Sequence, residues 1–192
     1  MKNYALMLTG GLMIAAAVAG GAVAQESDEP REIKVTPAHK EFIQRIHELD
    51  LSQIQLGRLA EQRVQKASTL VMAVKIIQAH TSIEALIGKL TAKELIALPA
   101  ELSTDHVTLA SKLNGASEKE FDYNYINAVI PEQQKTIEQC EAALKNEPSQ
   151  DYLTLINAAL PLLRDNLKSA QDALKTVNSA QGFKFPDNTP HP

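Results

Sequence analysis

Four stretches of this chain repeat apolar residues at steps of three and four, and each stripe holds a polar residue near its middle. The first stripe is Phe42, Ile46, Leu49, Gln53, Leu56, Ala60 and Val64, and the second is Ala73, Ile77, His80, Glu84 and Ile87. The third is Ile126, Val129, Ile130, Gln133, Ile137, Cys140 and Leu144. The fourth is Leu155, Ala159, Leu162, Asn166, Ala170, Ala173 and Val177. Such steps put each set on one face of an α-helix, the face that packs inward. A buried polar side chain without a partner costs about 1–3 kcal/mol. The pattern therefore predicts a helical bundle whose interior carries a shared polar layer of Gln53, His80, Glu84, Gln133 and Asn166. No period-two strand pattern of useful length competes with it, so the predicted fold is all-α, a four-helix bundle with one additional short helix.

The first 24 residues read as an export signal. Lys2 supplies a positive start, residues 5–18 are apolar, and Ala22-Val23-Ala24 precedes Gln25 as a small-x-small cleavage site. Cleavage is expected between Ala24 and Gln25. The apolar run is shorter than the roughly 20 residues a membrane span needs, so the mature chain is expected to have no transmembrane span. No Cys follows the run to take a lipid. The expected location is a bacterial periplasm, free or associated with the outer membrane.

Charge and cysteine content narrow the function classes. Loss of Lys2 with the signal takes the basic count from 19 to 18 against 23 acidic residues, so the formal charge goes from −4 to −5. The basic residues are scattered and aromatics are only 4% of the chain, which does not make a nucleic-acid surface. Cys140 is the single cysteine, so no intramolecular disulfide forms. It lies on the third apolar stripe with no basic cluster beside it, and reads as a buried, inert thiol.

Residues 25–35 form a short, charged leader, residues 36–180 the helical domain, and residues 181–192, with three prolines, a disordered tail. Thr36-Pro37 reads as N-cap and first helical position, opening a helix that runs to about Val64. Ser68 is placed to cap the second helix, which reaches about Leu90. Residues 93–103 form a connection whose Leu95, Ile96 and Leu98 are expected to pack on the core. A short helix follows from Thr104 to Leu113, closed by Asn114-Gly115. Ser117 and Glu120 form a capping box for the third long helix. Pro131 and Pro161 fall inside the last two helices and read as kinks, with the turn between those helices at Asn146-Glu147-Pro148-Ser149.

Several local motifs occur in a recognisable order. They are Leu56-Gly57-x-Leu59-Ala60, His80, the run from Leu98-Pro99 through Asp105-His106, then Leu113, Gly115, Phe121-Asp122, Tyr125 and Leu160-Pro161-x-Leu163. Together they resemble the bacterial exported family known as domain-of-unknown-function 4142, over about residues 40–173. The resemblance implies a ferritin-like four-helix core and, for the family, a link to metal. It also implies Glu at position 53, an Asp-His pair at 79–80, and His at 133 and 166. This chain has Gln53, Ala79-His80, Gln133 and Asn166 there, so only His80 and His106 match.

Neutral amides are weak ligands for transition metals, whereas they satisfy one another well as donors and acceptors. Gln53, Gln133 and Asn166 are therefore expected to bond with His80 in a layer that fixes helix register, with Glu84 one turn away holding the imidazole. His39 and His47, eight residues apart, do not share a face, and His191 lies in the tail. Phe121 and Tyr125 are expected to pack the bundle end, with Asp122 near its own helix N-terminus. Phosphate-loop, nucleophile-elbow, Cys-x-x-Cys and His-Glu-x-x-His motifs are absent.

The expected function is that of an exported, non-catalytic binding or structural protein of the cell envelope, with no cofactor. Its partner, a protein or a small molecule, is not specified by sequence, nor is its oligomeric state. Two alternatives are a metal-handling or redox protein using His80 and His106, and a periplasmic chaperone-like helper.

Overall fold

A computed structural model describes residues 35–146 and 149–180. The expected signal peptide over residues 1–24, the leader up to residue 34, Glu147 and Pro148 of the last turn, and the tail over residues 181–192 lie outside them. The described chain forms five helices: α1 Pro37–Arg63, α2 Ala67–Glu94, α3 Thr104–Asn114, α4 Glu118–Asn146 and α5 Gln150–Ala180. No strand occurs among the described residues. Helix α1 packs on α2, α2 on α5, α5 on α4 and α4 back on α1, closing a four-helix ring, while the short α3 touches α1 and α4.

The helix ends are set by a mixture of local and distant partners. Thr36 caps α1 as its sequence predicts, its hydroxyl accepting from the His39 amide at 3.2 Å with Pro37 at the first position. Ser68 does not cap α2. That helix starts at Ala67, and Asp122 of α4 serves the turn before it, accepting from the amides of Gln65 at 2.8 Å and Lys66 at 3.0 Å. Asp122 is thus occupied by the α1–α2 turn and not by its own helix end. Ser117 bonds the carboxylate of Glu120 at 2.6 Å, a side-chain pair in place of the reciprocal backbone box. Arg63 closes the same end of the bundle: it donates to the carbonyls of Asn114 and Ala116 and lies 4.8 Å over the Phe121 ring. Helices α4 and α5 run through Pro131 and Pro161 without interruption.

Two apolar clusters divide the interior along its length. One gathers Ile43, Ile83, Ile87, Tyr152, Ile156 and Leu163, and the other Leu56, Met72, Ile76, Phe121, Tyr125 and Val129. In every long helix the boundary between the clusters falls at the polar residue of its stripe: Gln53 on α1, His80 on α2, Gln133 on α4 and Asn166 on α5. All four are buried, with at most 1% of their surface exposed. Four of the five residues expected in the polar layer are thus buried between the two clusters, while Glu84 is half-buried. Helix α2 is by length and composition the one described helix able to cross a membrane. Its Met72, Ile76, Ile83 and Ile87 are fully buried against the other helices, as in the core helix of a bundle.

Two glycines show how closely α1 and α2 approach. A Cβ at Gly57 would stand 2.6 Å from Cγ1 of Ile77, whereas one at Gly88 would meet nothing within 4 Å. Replacing a helical Gly by Ala favours the helix by about 0.8–1 kcal/mol, and overpacking costs about 1–3. Gly88→Ala is expected to raise stability by roughly 0.5–1 kcal/mol, since only the helix term acts. Gly57→Ala is expected to lower stability, and to do so less in an Ile77→Ala background. Urea denaturation of the four variants measures both the opposite signs and the coupling.

Candidate functional site

At the level of the polar layer, four ionisable side chains and one amide form a chain through the protein. Asp50 and Gln53 sit one turn apart on the inner face of α1, and His80 faces them from α2. His80 Nδ1 lies 2.5 Å from Asp50 Oδ1, and its Nε2 lies 2.8 Å from Nε2 of Gln133 on α4. Asp50, His80 and Gln133 are each 0% exposed. On its other side Asp50 meets Glu84: Oδ2 of the one and Oε1 of the other are buried with no donor group beside them, so the two carboxyls join only when a proton is held between them. The second oxygen of Glu84 bonds His47 Nδ1 at 2.8 Å. His47 Nε2 ends the chain at the carbonyl of Pro99, 3.0 Å away, in the connection between α2 and α3.

Elementary hydrogen-bond chemistry assigns most of these protons. The Gln133 amide nitrogen is a donor, so His80 Nε2 accepts, and the single hydrogen of a neutral His80 sits on Nδ1 and points to Asp50. A carbonyl only accepts, so His47 Nε2 carries a hydrogen toward Pro99. One proton must then lie between His47 Nδ1 and Glu84, and one between the two carboxyls. Four protons over two imidazoles and two carboxyls make an assembly with no net charge, which is the form a low-dielectric interior tolerates.

The proton affinities of the groups follow from burial. Desolvation pushes the Asp50 carboxyl well above the usual carboxylate range. Desolvation, followed by the charge of Asp50, raises Glu84 to about 7. Burial also pulls His80 down to about 4, so its imidazole is neutral near pH 7. Cys140 on α4 is pushed up to about 12, first by burial and then by Asp50, which keeps its thiol protonated and unreactive.

The sequence-derived site residues meet different fates. His80 and Gln133 bond each other, as the layer requires. Glu84 does not hold His80: it turns to His47 and Asp50, because Asp50 already occupies Nδ1. Gln53 and Asn166 reach the layer, yet neither amide hydrogen-bonds another side chain of it, and Gln133 Oε1 is also without a protein partner. Asn166 lies beneath a shallow cleft of about 230 Å³ between α2 and α5, where Lys75 and Asp165 pair at 2.6 Å. His106 belongs elsewhere, bonded to Glu48 at 3.2 Å and Ser103 at 3.3 Å. His39 stacks on Tyr152, with ring centroids 4.3 Å apart. Asp50 and His47 were missed by the stripes. The spacing Ile43, Ile46/His47, Asp50, Gln53, Gly57 carries the signal that finds them.

Comparison with known proteins places the chain. The model of a domain of unknown function, DUF4142, matches residues 24–173. The chain belongs to the DUF4142 family. Its fold is similar to a crystal structure of a DUF305 fragment from Deinococcus radiodurans, with a TM-score of 0.65 and 13% sequence identity. That match covers 73% of this chain and 97% of the other. No curated protein matches this one.

The residues of this DUF4142 protein do not fit the metal centre that the expected resemblance to ferritin implies. Such centres use inward carboxylates with Glu-x-x-His pairs. Here both nitrogens of His80 are engaged, Asp50 is shared between His80 and Glu84, and the remaining inward groups are amides. Among the described residues no three His, Cys, Asp or Glu side chains are grouped to hold a metal ion. The arrangement is a chain of polar contacts that ties α1, α2 and α4 together.

That chain carries two predictions. Asp50→Ala removes the partner of both His80 Nδ1 and Glu84, and is expected to cost about 3–5 kcal/mol, the range for breaking a buried pair. Asp50→Asn keeps an acceptor for His80 and offers a donor to Glu84, so its cost in urea denaturation at mildly acidic pH is expected to be much smaller. The pH dependence has two opposed parts. Between the unfolded carboxyl values and about 7 the folded protein holds protons the unfolded chain releases, so this contribution is lost as pH rises through about 7. For His80 the unfolded imidazole binds a proton below about 6.5 that the folded one refuses until about 4, so that contribution is lost as pH falls across this window. The thermal midpoint is therefore expected to fall between about pH 6.5 and 8, where only the carboxyl part acts, and calorimetry across pH checks it.

Proposed function

We propose that this DUF4142 protein is an exported, non-catalytic component of the cell envelope that acts through its surface. In this reading the ferritin-like position in its core has become a structural element. The observation that carries the reading is the closure of His80. Its two nitrogens are taken by Asp50 and Gln133, it is fully buried, and amides stand at the other inward positions. A catalytic or metal-binding histidine needs a free nitrogen and a path to it. The export part of the proposal rests on Lys2, the apolar run and Ala22-Val23-Ala24 before Gln25.

Two measurements on untagged protein from its native bacterium test the proposal. Fractionation with N-terminal sequencing is expected to recover a periplasmic chain beginning at Gln25; a cytoplasmic chain retaining Met1 overturns the export part. Elemental analysis with native mass spectrometry is expected to show no stoichiometric metal. One or two metals per chain, lost on His80→Ala, would overturn the non-metal reading.

A further inference from the structure

The outer end of the buried chain of hydrogen bonds is fastened to the connection between α2 and α3. Residues 95–103 connect α2 to α3, and they leave α2 through Leu95, at φ 54° and ψ 40°. This left-handed conformation brings Cβ against the following carbonyl oxygen and is unfavourable for a residue with a side chain. Glycine usually occupies such a helix end. The Leu95 side chain gains nothing in return, being 91% exposed. The sequence pattern expected Leu95 to pack with Ile96 and Leu98. Instead Ile96 is buried, Leu98 packs on the core cluster, and Leu95 is the strained hinge in front of them.

Polar contacts from one face of α1 hold this strap down. Gln44 Nε2 donates to the carbonyl of Ala97 at 2.8 Å, His47 Nε2 to that of Pro99 at 3.0 Å, and the Ser103 amide donates to Glu48 at 2.7 Å. His47 is the central fastening, and it is also the only one of these residues linked to the interior, through Glu84 and Asp50. Asp50 is fully buried and anchored by His80. The Glu84 side chain keeps 19% of its surface exposed. Of the two carboxyls, only Glu84 can turn to water.

We propose that the proton shared by Asp50 and Glu84 is the latch of the strap over residues 95–103. While the proton is present, Glu84 stays against Asp50 and orients His47 toward Pro99. When it leaves at higher pH, two adjacent carboxylates repel across the α1–α2 contact. Glu84 swings outward, His47 loses the partner that orients it, and the strap lifts from the Leu95 hinge, uncovering Ile96 and Leu98. Of the groups facing the carboxyl pair, His47 opposes this repulsion by favouring the ionised form of both carboxyls, and the others do not. From α1 they are His47 and Glu48, the latter committed to Ser103 and His106 of α3. From α2 it is His80, held neutral by burial. From α4 they are the amide of Gln133 and the protonated thiol of Cys140, and α5 closes the neighbouring cluster with apolar Leu160 and Leu163.

Hydrogen exchange read by mass spectrometry on the mature chain, corrected for intrinsic base catalysis, tests the latch at about pH 6 and about pH 8.5. Protection over residues 95–103 is expected to drop about tenfold or more at the higher pH while the α4 and α5 core peptides keep theirs. In Asp50→Asn, whose amide donates to Glu84 at either pH, protection of the strap is expected to stay level. Equal protection in the unaltered protein at both pH values overturns the proposal. So does the same drop in Asp50→Asn, or a loss spread evenly over all helices. If Asp50→Asn fails to fold by circular dichroism, Glu84→Gln, which also removes the shared titration, is read by the same criteria.

Discussion

The contact between Asp50 and His80 is the constraint to which the rest of the interior is fitted. Two ionisable groups at 0% exposure are stable only if their hydrogen bonds are complete and their charges cancel. Each remaining member of the chain meets that demand at one atom. Gln133 serves the second nitrogen of His80, Glu84 takes the second oxygen of Asp50, and His47 takes the outer oxygen of Glu84. Because Asp50 and His47 lie on α1, His80 and Glu84 on α2, and Gln133 on α4, the chain sets the register of three helices at once. A slip of one turn would leave a buried carboxyl or imidazole without a partner, at a cost exceeding most single apolar contacts.

On either side of this layer the bundle is conventional in its chemistry, with aliphatic and aromatic side chains filling two separate clusters. The ends are where distant residues replace local ones. Asp122 reaches from α4 to the bare amides of the α1–α2 turn, and Arg63 reaches from α1 to the carbonyls that close α3. These clamps use long-range partners to satisfy helix termini that lack a capping side chain of their own. They also fix α4 to α1, two elements far apart in the chain.

Much of the fold was legible because a helix repeats at 3.6 residues and its buried stripe shows directly in the spacing of apolar residues. The stripes located Gln53, His80, Gln133 and Asn166, and all four are buried at one level. Helix starts that depend on neighbours in sequence were equally legible, as with Thr36 and Pro37. Ser68 and Leu95 were misread for a common reason: the first is replaced by Asp122, and the second is driven to an exposed, left-handed position by the path of the strap. Glu84 was placed beside His80 by its one-turn spacing. Asp50, unremarked in the stripe because it is charged, competes for the same nitrogen and wins it.

The sequence by itself determined the class of fold, the family, the four buried polar positions and the poverty of metal-ligating side chains among them. Those properties are written in periodicity and residue type, which act locally along each helix. Which polar group bonds which, and where the protons sit, was decided only when the helices came together. Hydrogen bonds within reach of a given atom depend on the rotation and height of one helix against another, and these are set by packing of the two apolar clusters. The pairing of Asp50 with His80, and of Glu84 with His47, exists only in that assembled geometry.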